Sequence, residues 1–343
     1  MFGSFRIILA LLVVIGHLHG PHPLGNYAVF GFYVLSGYLM TYIMNETYGF
    51  HLRGRVKFVL NRFLRIFPSY WVAALISICL LFIFGVKITE FHGAIQLPDD
   101  YVSWARNIFL IFSFNSYPRL SPATWALTVE LFFYAAICIG VSRTKRVSLI
   151  WVFGSIFYTF YLCFSGADWG DRYFPILAAS LPFSLGSLLF HYNKELDDWP
   201  FLRKITTPII LLLLICMNFC VNYLVSIKWL ASSLFGVGFY LNLVLIMLMI
   251  AALARVQVAS RLKSLDTMMG KFSYPIYLTH WQAGALIYVL SGTRLKASFF
   301  SLGGLLFLVL AMLTSILFSY VIIKFIDDPI ELKRKKIKAN KDA

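Results

Sequence analysis

Residues 5–17 read Phe5-Arg6-Ile7-Ile8-Leu9-Ala10-Leu11-Leu12-Val13-Val14-Ile15-Gly16-His17, an arginine and a histidine separated by nine aliphatic residues and a glycine. An apolar run of this kind reads as a helix crossing a lipid bilayer. Eleven residues are nearly three turns at 3.6 per turn, so Arg6 and His17 share one face, about 16 Å apart along the axis. Ionisable groups in hydrocarbon are expensive and by default face a cavity and carry function.

The rest of the chain has the same character. Of its 343 residues, 60% are hydrophobic and 13% are charged, where a soluble domain carries about a quarter charged. This excludes the water-soluble enzyme classes and points to an integral membrane protein. The net charge of +15 sits in short connections between apolar segments, where orientation signals are expected, so it does not point to nucleic acid. The five cysteines, Cys79, Cys138, Cys163, Cys216 and Cys220, fall inside or at the ends of apolar segments with no CxxC pair. No disulfide and no thiolate metal site is expected.

Apolar segments at 2–19, 27–44, 68–86, 122–140, 148–165, 173–191, 206–225, 231–253, 274–290 and 299–325 predict about ten transmembrane helices, an all-α fold. With both termini cytoplasmic, twenty-three of the 30 Lys and Arg residues fall on the inner side, as the positive-inside rule asks. Only Lys87, Arg106, Arg119, Arg172, Lys228, Arg294 and Lys296 fall outside. Residues 1–330 read as one membrane domain and 331–343 as a basic cytoplasmic tail. The polar connections 45–67 and 87–121 are too short to fold alone. The first span lacks a small-residue cleavage site and reads as a mature helix. Asn107–Phe114 is too short to span and reads as re-entrant or interfacial. No internal repeat is visible, which counts against an inverted-repeat transporter.

Few residues in this setting can do chemistry. In the inside-N orientation Arg6 lies toward the cytoplasmic leaflet and His17 toward the outer one. A neutral imidazole takes a proton from a hydroxyl, and a guanidinium suits anionic oxygen. Snorkelling of Arg6 and interfacial capping by His17 is the plainer alternative. His17, His19 and His22 invite a metal reading, but residues two apart diverge on a helix and no Asp, Glu or Cys is near. No metal is expected. Arg62 and Arg65, three apart on one helical face before Pro68, suit a phosphate or pyrophosphate arriving from the cytosol, or plain anchoring. Glu130 is the acidic residue well inside a span. It could orient His17, act as acid or base, or neutralise a buried arginine. His280, assigned to the inner half of the ninth span, could bond a ligand or a neighbouring helix. Asp327 and Asp328 close the last span and are expected to hold the inner arginines.

As an ordered set these residues are similar to the acyltransferase-3 family of membrane acyltransferases. The resemblance rests on Arg6-x10-His17, Gly31-Phe-Tyr-Val-Leu-Ser-Gly37-Tyr38, Arg62-Phe-Leu-Arg65-Ile-Phe-Pro68-Ser-Tyr70 and the Trp125…Glu130 helix. It continues through Ser273-Tyr-Pro-Ile-Tyr-Leu-Thr-His280 to the closing acidic-Pro motif, across nearly the whole chain. The chain departs from the pattern in reading Asp327-Asp328-Pro329 where a Glu is commoner, and in lacking a C-terminal SGNH-type hydrolase domain.

The resemblance implies transfer of an acyl group, usually acetyl, from cytosolic acyl-CoA to a carbohydrate hydroxyl at or across a bacterial cytoplasmic (inner) membrane. On it, acetyl-CoA is the donor co-substrate, and Arg6, Arg62 and Arg65 bind acyl-CoA. His17 deprotonates the acceptor and Glu130 tunes the site, while Trp125, Tyr277 and His280 bind or orient substrate. Direct transfer and an acyl-histidine intermediate both fit. Two rival classes stand beside it: a transporter or flippase for a lipid-linked sugar with Arg6, His17 and Glu130 as a proton relay, and a non-catalytic membrane partner of a polysaccharide assembly.

Overall fold

A computed structural model describes residues 2–19, 24–112, 118–231, 233–256, 260–292 and 301–339. His22, Arg294, Lys296 and Lys341 lie outside the described residues. Among the described residues the regular structure is helical throughout, with no strand.

Among the described residues each expected apolar segment is mainly helical, and six helices are long and apolar enough to cross a membrane. These are Leu24–Tyr48, Leu52–Phe84, Lys145–Phe164, Thr206–Ser226, Leu234–Arg255 and Leu302–Ile337. Phe2–Leu18, Thr124–Ile139 and Ile176–His191 are apolar but shorter. The expected segment 274–290 forms the second half of the helix Ser260–Ser291, which belongs to neither group. The surface confirms the solvent. On Lys145–Phe164, Ile150, Phe153, Phe157, Phe160 and Phe164 are all exposed at steps of three and four residues, one apolar stripe of the kind a lipid-facing helix presents. The chain is a multi-pass helical membrane protein.

Two boundaries differ from the sequence reading for one physical reason. The helix Leu52–Phe84 starts sixteen residues ahead of the expected 68–86 and carries Pro68 inside it. Arg62 and Arg65 lie within this helix, three apart on one face as expected. Likewise Ser260–Ser291 extends fourteen residues ahead of 274–290 and contains Pro275. Lys, Arg, Leu and Met are good helix formers, so helical structure runs on past the point where hydropathy falls. Proline removes one helical hydrogen bond, which a packed helix tolerates.

Contacts divide the chain into two compact units, each built from separate segments. One comprises Met1–Leu9, His22–Val56 and Glu130–Gly270, the other Ala10–Pro21, Lys57–Val129 and Lys271–Ala343.

In the first unit the helices Leu24–Ile43 and Ser180–His191 cross at two glycines. A Cβ on Gly37 would run into the carbonyl of Phe183, and one on Gly186 into the carbonyl of Val34. Small residues let backbones touch where lipid supplies no hydrophobic drive for helix association. Around this crossing the rings of Tyr33, Phe183, Phe133 and Trp151 stack in series, with centroids 5.1, 4.5 and 6.0 Å apart. The N-terminal turn of Phe2–Leu18 is capped from a distance. Asp266 accepts from the Gly3 and Ser4 amides at 3.1 and 2.8 Å and from Ser4 Oγ at 2.6 Å, which satisfies orphan amides of the helix start. Partial burial pushes the Asp266 carboxyl upward, but these hydrogen bonds win and hold it below the usual carboxylate range.

In the second unit Asn107 organises the connection after Leu52–Phe84. Its side chain donates to the Ser103 and Pro118 carbonyls at 2.9 and 3.0 Å and accepts from the Leu120 amide at 2.9 Å. Tyr70 donates to the Asn107 carbonyl at 2.5 Å. The helix here is Tyr101–Phe109, capped by Asp100. The expected Asn107–Phe114 segment thus begins inside a short helix that ends at Phe109, with its last two residues outside the described ones.

Candidate active site

His17 lies in the last turn of Phe2–Leu18 and is half-buried. Its Nδ1 is 2.9 Å from Nε2 of His280, 263 positions away. The ring planes differ by only 17°. His280 is fully buried, and its Nδ1 lies 2.8 Å from the Tyr277 carbonyl. A carbonyl can only accept, so His280 Nδ1 carries the proton, and with both rings neutral His280 Nε2 is an acceptor. His17 must then donate from Nδ1, which leaves Nε2 as its basic nitrogen. One backbone oxygen thereby sets the tautomer of two imidazoles.

The contact corrects the sequence placement of His280 in the inner half of the ninth span. Bonded to His17, it lies at the depth of the last turn of the first helix. The earlier start at Ser260 puts position 280 well along its helix. Gly284 gives the approach: a Cβ there would lie 2.7 Å from Leu18 Cδ2 and 2.9 Å from Phe91 Cζ.

Two residues that sequence reasoning passed over complete the cluster. The Trp281 ring stacks on His17 with centroids 5.0 Å apart and 27° between planes. His92 meets the same indole edge-on at 4.3 Å, and its Nδ1 accepts from the Ala94 amide at 3.2 Å. Trp281 is buried, and its Nε1–H finds no acceptor among the described residues. Periodicity could not have found His92, which follows a short helix in a polar connection; Trp281 could have been suspected only as the neighbour of His280.

The charged end of the same unit is also assembled from three helices. Arg65 faces Asp327 at 3.9 Å and lies over the Tyr274 ring at 5.6 Å. Asp327 accepts from Ser69 Oγ at 2.5 Å. Arg62 donates to Asn61 Oδ1 at 2.8 Å, and Arg334 reaches the same oxygen at 3.3 Å while pairing with Glu331. Asp327 thus holds an arginine as expected, whereas Asp328 pairs with Lys271 at 2.7 Å. Arg334, read as part of a basic tail, is buried in the helix Asp328–Ala339. Along Ser260–Ser291, Tyr274 precedes His280 by six residues, roughly 9 Å of helix axis.

The remaining expected residues are placed as follows. Tyr277 donates to the Ala123 carbonyl at 2.8 Å, so its hydroxyl ties two elements together. Trp125 is half-buried in Thr124–Ile139. Glu130 accepts from Ser36 Oγ at 2.8 Å in the first unit. His17 Nδ1, the nitrogen a carboxylate would orient, is held by His280. Arg6 lies in Phe2–Leu18, eleven positions before His17 in one continuous helix. Among the described residues no group of three His, Cys, Asp or Glu could hold a metal ion.

The fold and site define a multi-pass helical membrane protein that carries, in one unit, a bonded pair of imidazoles, one half-buried and one fully buried, and a cationic cluster. The family model described as an acyltransferase domain matches residues 4–324, and the chain belongs to that family, acyltransferase-3. Comparison with curated proteins and with solved structures returns no match.

Proposed function

We propose that this protein is an O-acyltransferase that moves an acyl group, most simply acetyl, from cytosolic acyl-CoA to a hydroxyl of a cell-surface or lipid-linked carbohydrate, with His17 as general base. The observation that carries the reading is the chain from the Tyr277 carbonyl through His280 to His17, which leaves Nε2 of a half-buried imidazole basic. In this reading all ten helices span a bacterial inner membrane with both termini cytoplasmic. Arg62 and Arg65 attract the donor phosphates, and Trp125 borders the acceptor.

The step is direct. Nε2 of His17 takes the proton of the acceptor hydroxyl while its oxygen attacks the thioester carbonyl carbon. The carbon–sulfur bond then breaks, and the leaving thiolate takes the proton back from the imidazolium. His280 keeps the ring in the productive tautomer and continues to accept from Nδ1–H while His17 is charged, the part a buried orienting group plays beside a catalytic histidine.

Purified protein in proteoliposomes with radiolabelled acetyl-CoA and membrane glycan tests this directly. Label must appear on glycan and disappear on mild alkaline ester cleavage. Glycan movement across vesicles without acetyl-CoA, and with no label transferred, overturns the proposal in favour of a transporter.

A further inference from the structure

The indole N–H of Trp281 has no part in the reaction as described so far, yet its ring touches all three histidines of the cluster. Its ring stacks on His17, with centroids 5.0 Å apart, lies 5.5 Å from His280 and meets His92 edge-on at 4.3 Å. The side chain is 9% exposed, and Nε1 is buried without an acceptor among the described residues. A buried N–H left unbonded costs about 1–3 kcal/mol, and buried tryptophans ordinarily find a partner. A phenylalanine here would stack on the same imidazole without that cost. Three of the neighbouring imidazole nitrogens are committed elsewhere: His280 Nδ1 to the Tyr277 carbonyl, His280 Nε2 to His17 and His92 Nδ1 to the Ala94 amide. The acceptor that fits an indole donor beside a proton-abstracting imidazole is an oxygen brought by substrate.

We propose that Trp281 is a catalytic residue whose Nε1–H donates to the thioester carbonyl oxygen of the acyl donor as that oxygen becomes negative. This rests on the acyltransferase reading above. When the acceptor oxygen bonds to the carbonyl carbon, the π pair moves onto the carbonyl oxygen and His17 holds the acceptor's proton. Nε1–H bonds the oxyanion. The pair then returns, the carbon–sulfur bond breaks, and thiolate leaves to take the proton from His17. No oxidant or metal is needed. A donor held in place by its ring contacts before substrate arrives stabilises developing charge without reorganising.

The test is thiol release from acetyl-CoA by the full-length protein in proteoliposomes, with glycan or water as acceptor. Two variants are compared: Trp281→Phe, and replacement of Trp281 by 3-benzothienylalanine, which keeps the fused ring and puts sulfur in place of N–H. Both are expected to lower kcat by about 10²–10³-fold, the usual loss for one oxyanion donor, with KM for acetyl-CoA shifted no more than about twofold. Wild-type kcat in either folded variant, or a loss expressed in KM alone, overturns the assignment and leaves the acyltransferase reading intact. A wild-type protein that releases no thiol overturns both. If Trp281→Phe does not fold, the benzothienyl protein decides.

Discussion

The glycine crossing of the first unit and the histidine cluster of the second are both places where distant segments approach closely, and they are built on opposite principles. At Gly37 and Gly186 backbone touches backbone, and the surrounding rings stack without any exchange of protons. At His17 and His280 the approach is made by polar side chains, held in register by one carbonyl, with an imidazole nitrogen and an indole N–H left over. Polar groups are expensive in a membrane interior. Where packing alone is needed, glycine and aromatic residues serve; at the cluster the uncommitted imidazole nitrogen and the indole N–H belong to rings in direct contact, an arrangement that suits chemistry.

The comparison predicts that changes in the cluster remove activity with the fold intact, while changes at the crossing do the reverse. The largest effect is expected for His17→Ala, which should lower glycan labelling by roughly 10³-fold or more while acetyl-CoA binding, measured by calorimetry, persists. Near-normal turnover would break the contrast at its centre. Next, His280→Leu removes the acceptor for His17 Nδ1 and should lower kcat about 10²-fold, with the pH–rate profile displaced. His280→Gln, which can still offer an oxygen, should recover most of that loss; equal damage in both would reduce His280 to packing.

At the crossing, Gly186→Ala drives a methyl group against the Val34 carbonyl and should cost about 1–3 kcal/mol of stability. A lowered thermal midpoint with unchanged kcat per folded molecule is the expected result, and an unchanged midpoint would mean the helices can part freely. The smallest effect belongs to Asp266→Ala, which uncaps Phe2–Leu18 at Gly3 and Ser4. Loss of a helix cap is worth about 1 kcal/mol, so a slightly lower midpoint with normal labelling is expected. A large loss of activity there would mean that the start of the His17 helix controls its end.

Much of this was legible in one dimension because a bilayer imposes strong local rules. Apolar runs had to be helices, and Arg6-x10-His17 with Arg62, Arg65 and the Ser273…His280 run supported the family resemblance. What failed were places where local rules are weak. Hydropathy put helix starts at Pro68 and 274, but helix propensity carries both helices far into charged sequence. That shortening hid how far along its helix His280 lies, and with it the bond to His17. For Tyr277 the resemblance implied a part in binding or orienting substrate, and the structure adds a 2.8 Å bond from its hydroxyl to the Ala123 carbonyl that no local rule encodes.

The sequence by itself determined the solvent, the secondary structure, the family and a short set of reactive side chains, because hydropathy, charge bias and motif order are properties of neighbours along a chain. Only the tertiary structure decided what those side chains do to one another. His17 and His280 are 263 positions apart, and no periodicity encodes that they bond. The proton on His280 Nδ1, the base at His17 Nε2 and the unbonded indole of Trp281 follow from contacts formed when separate helices pack, since a tautomer is set by the partner a nitrogen meets.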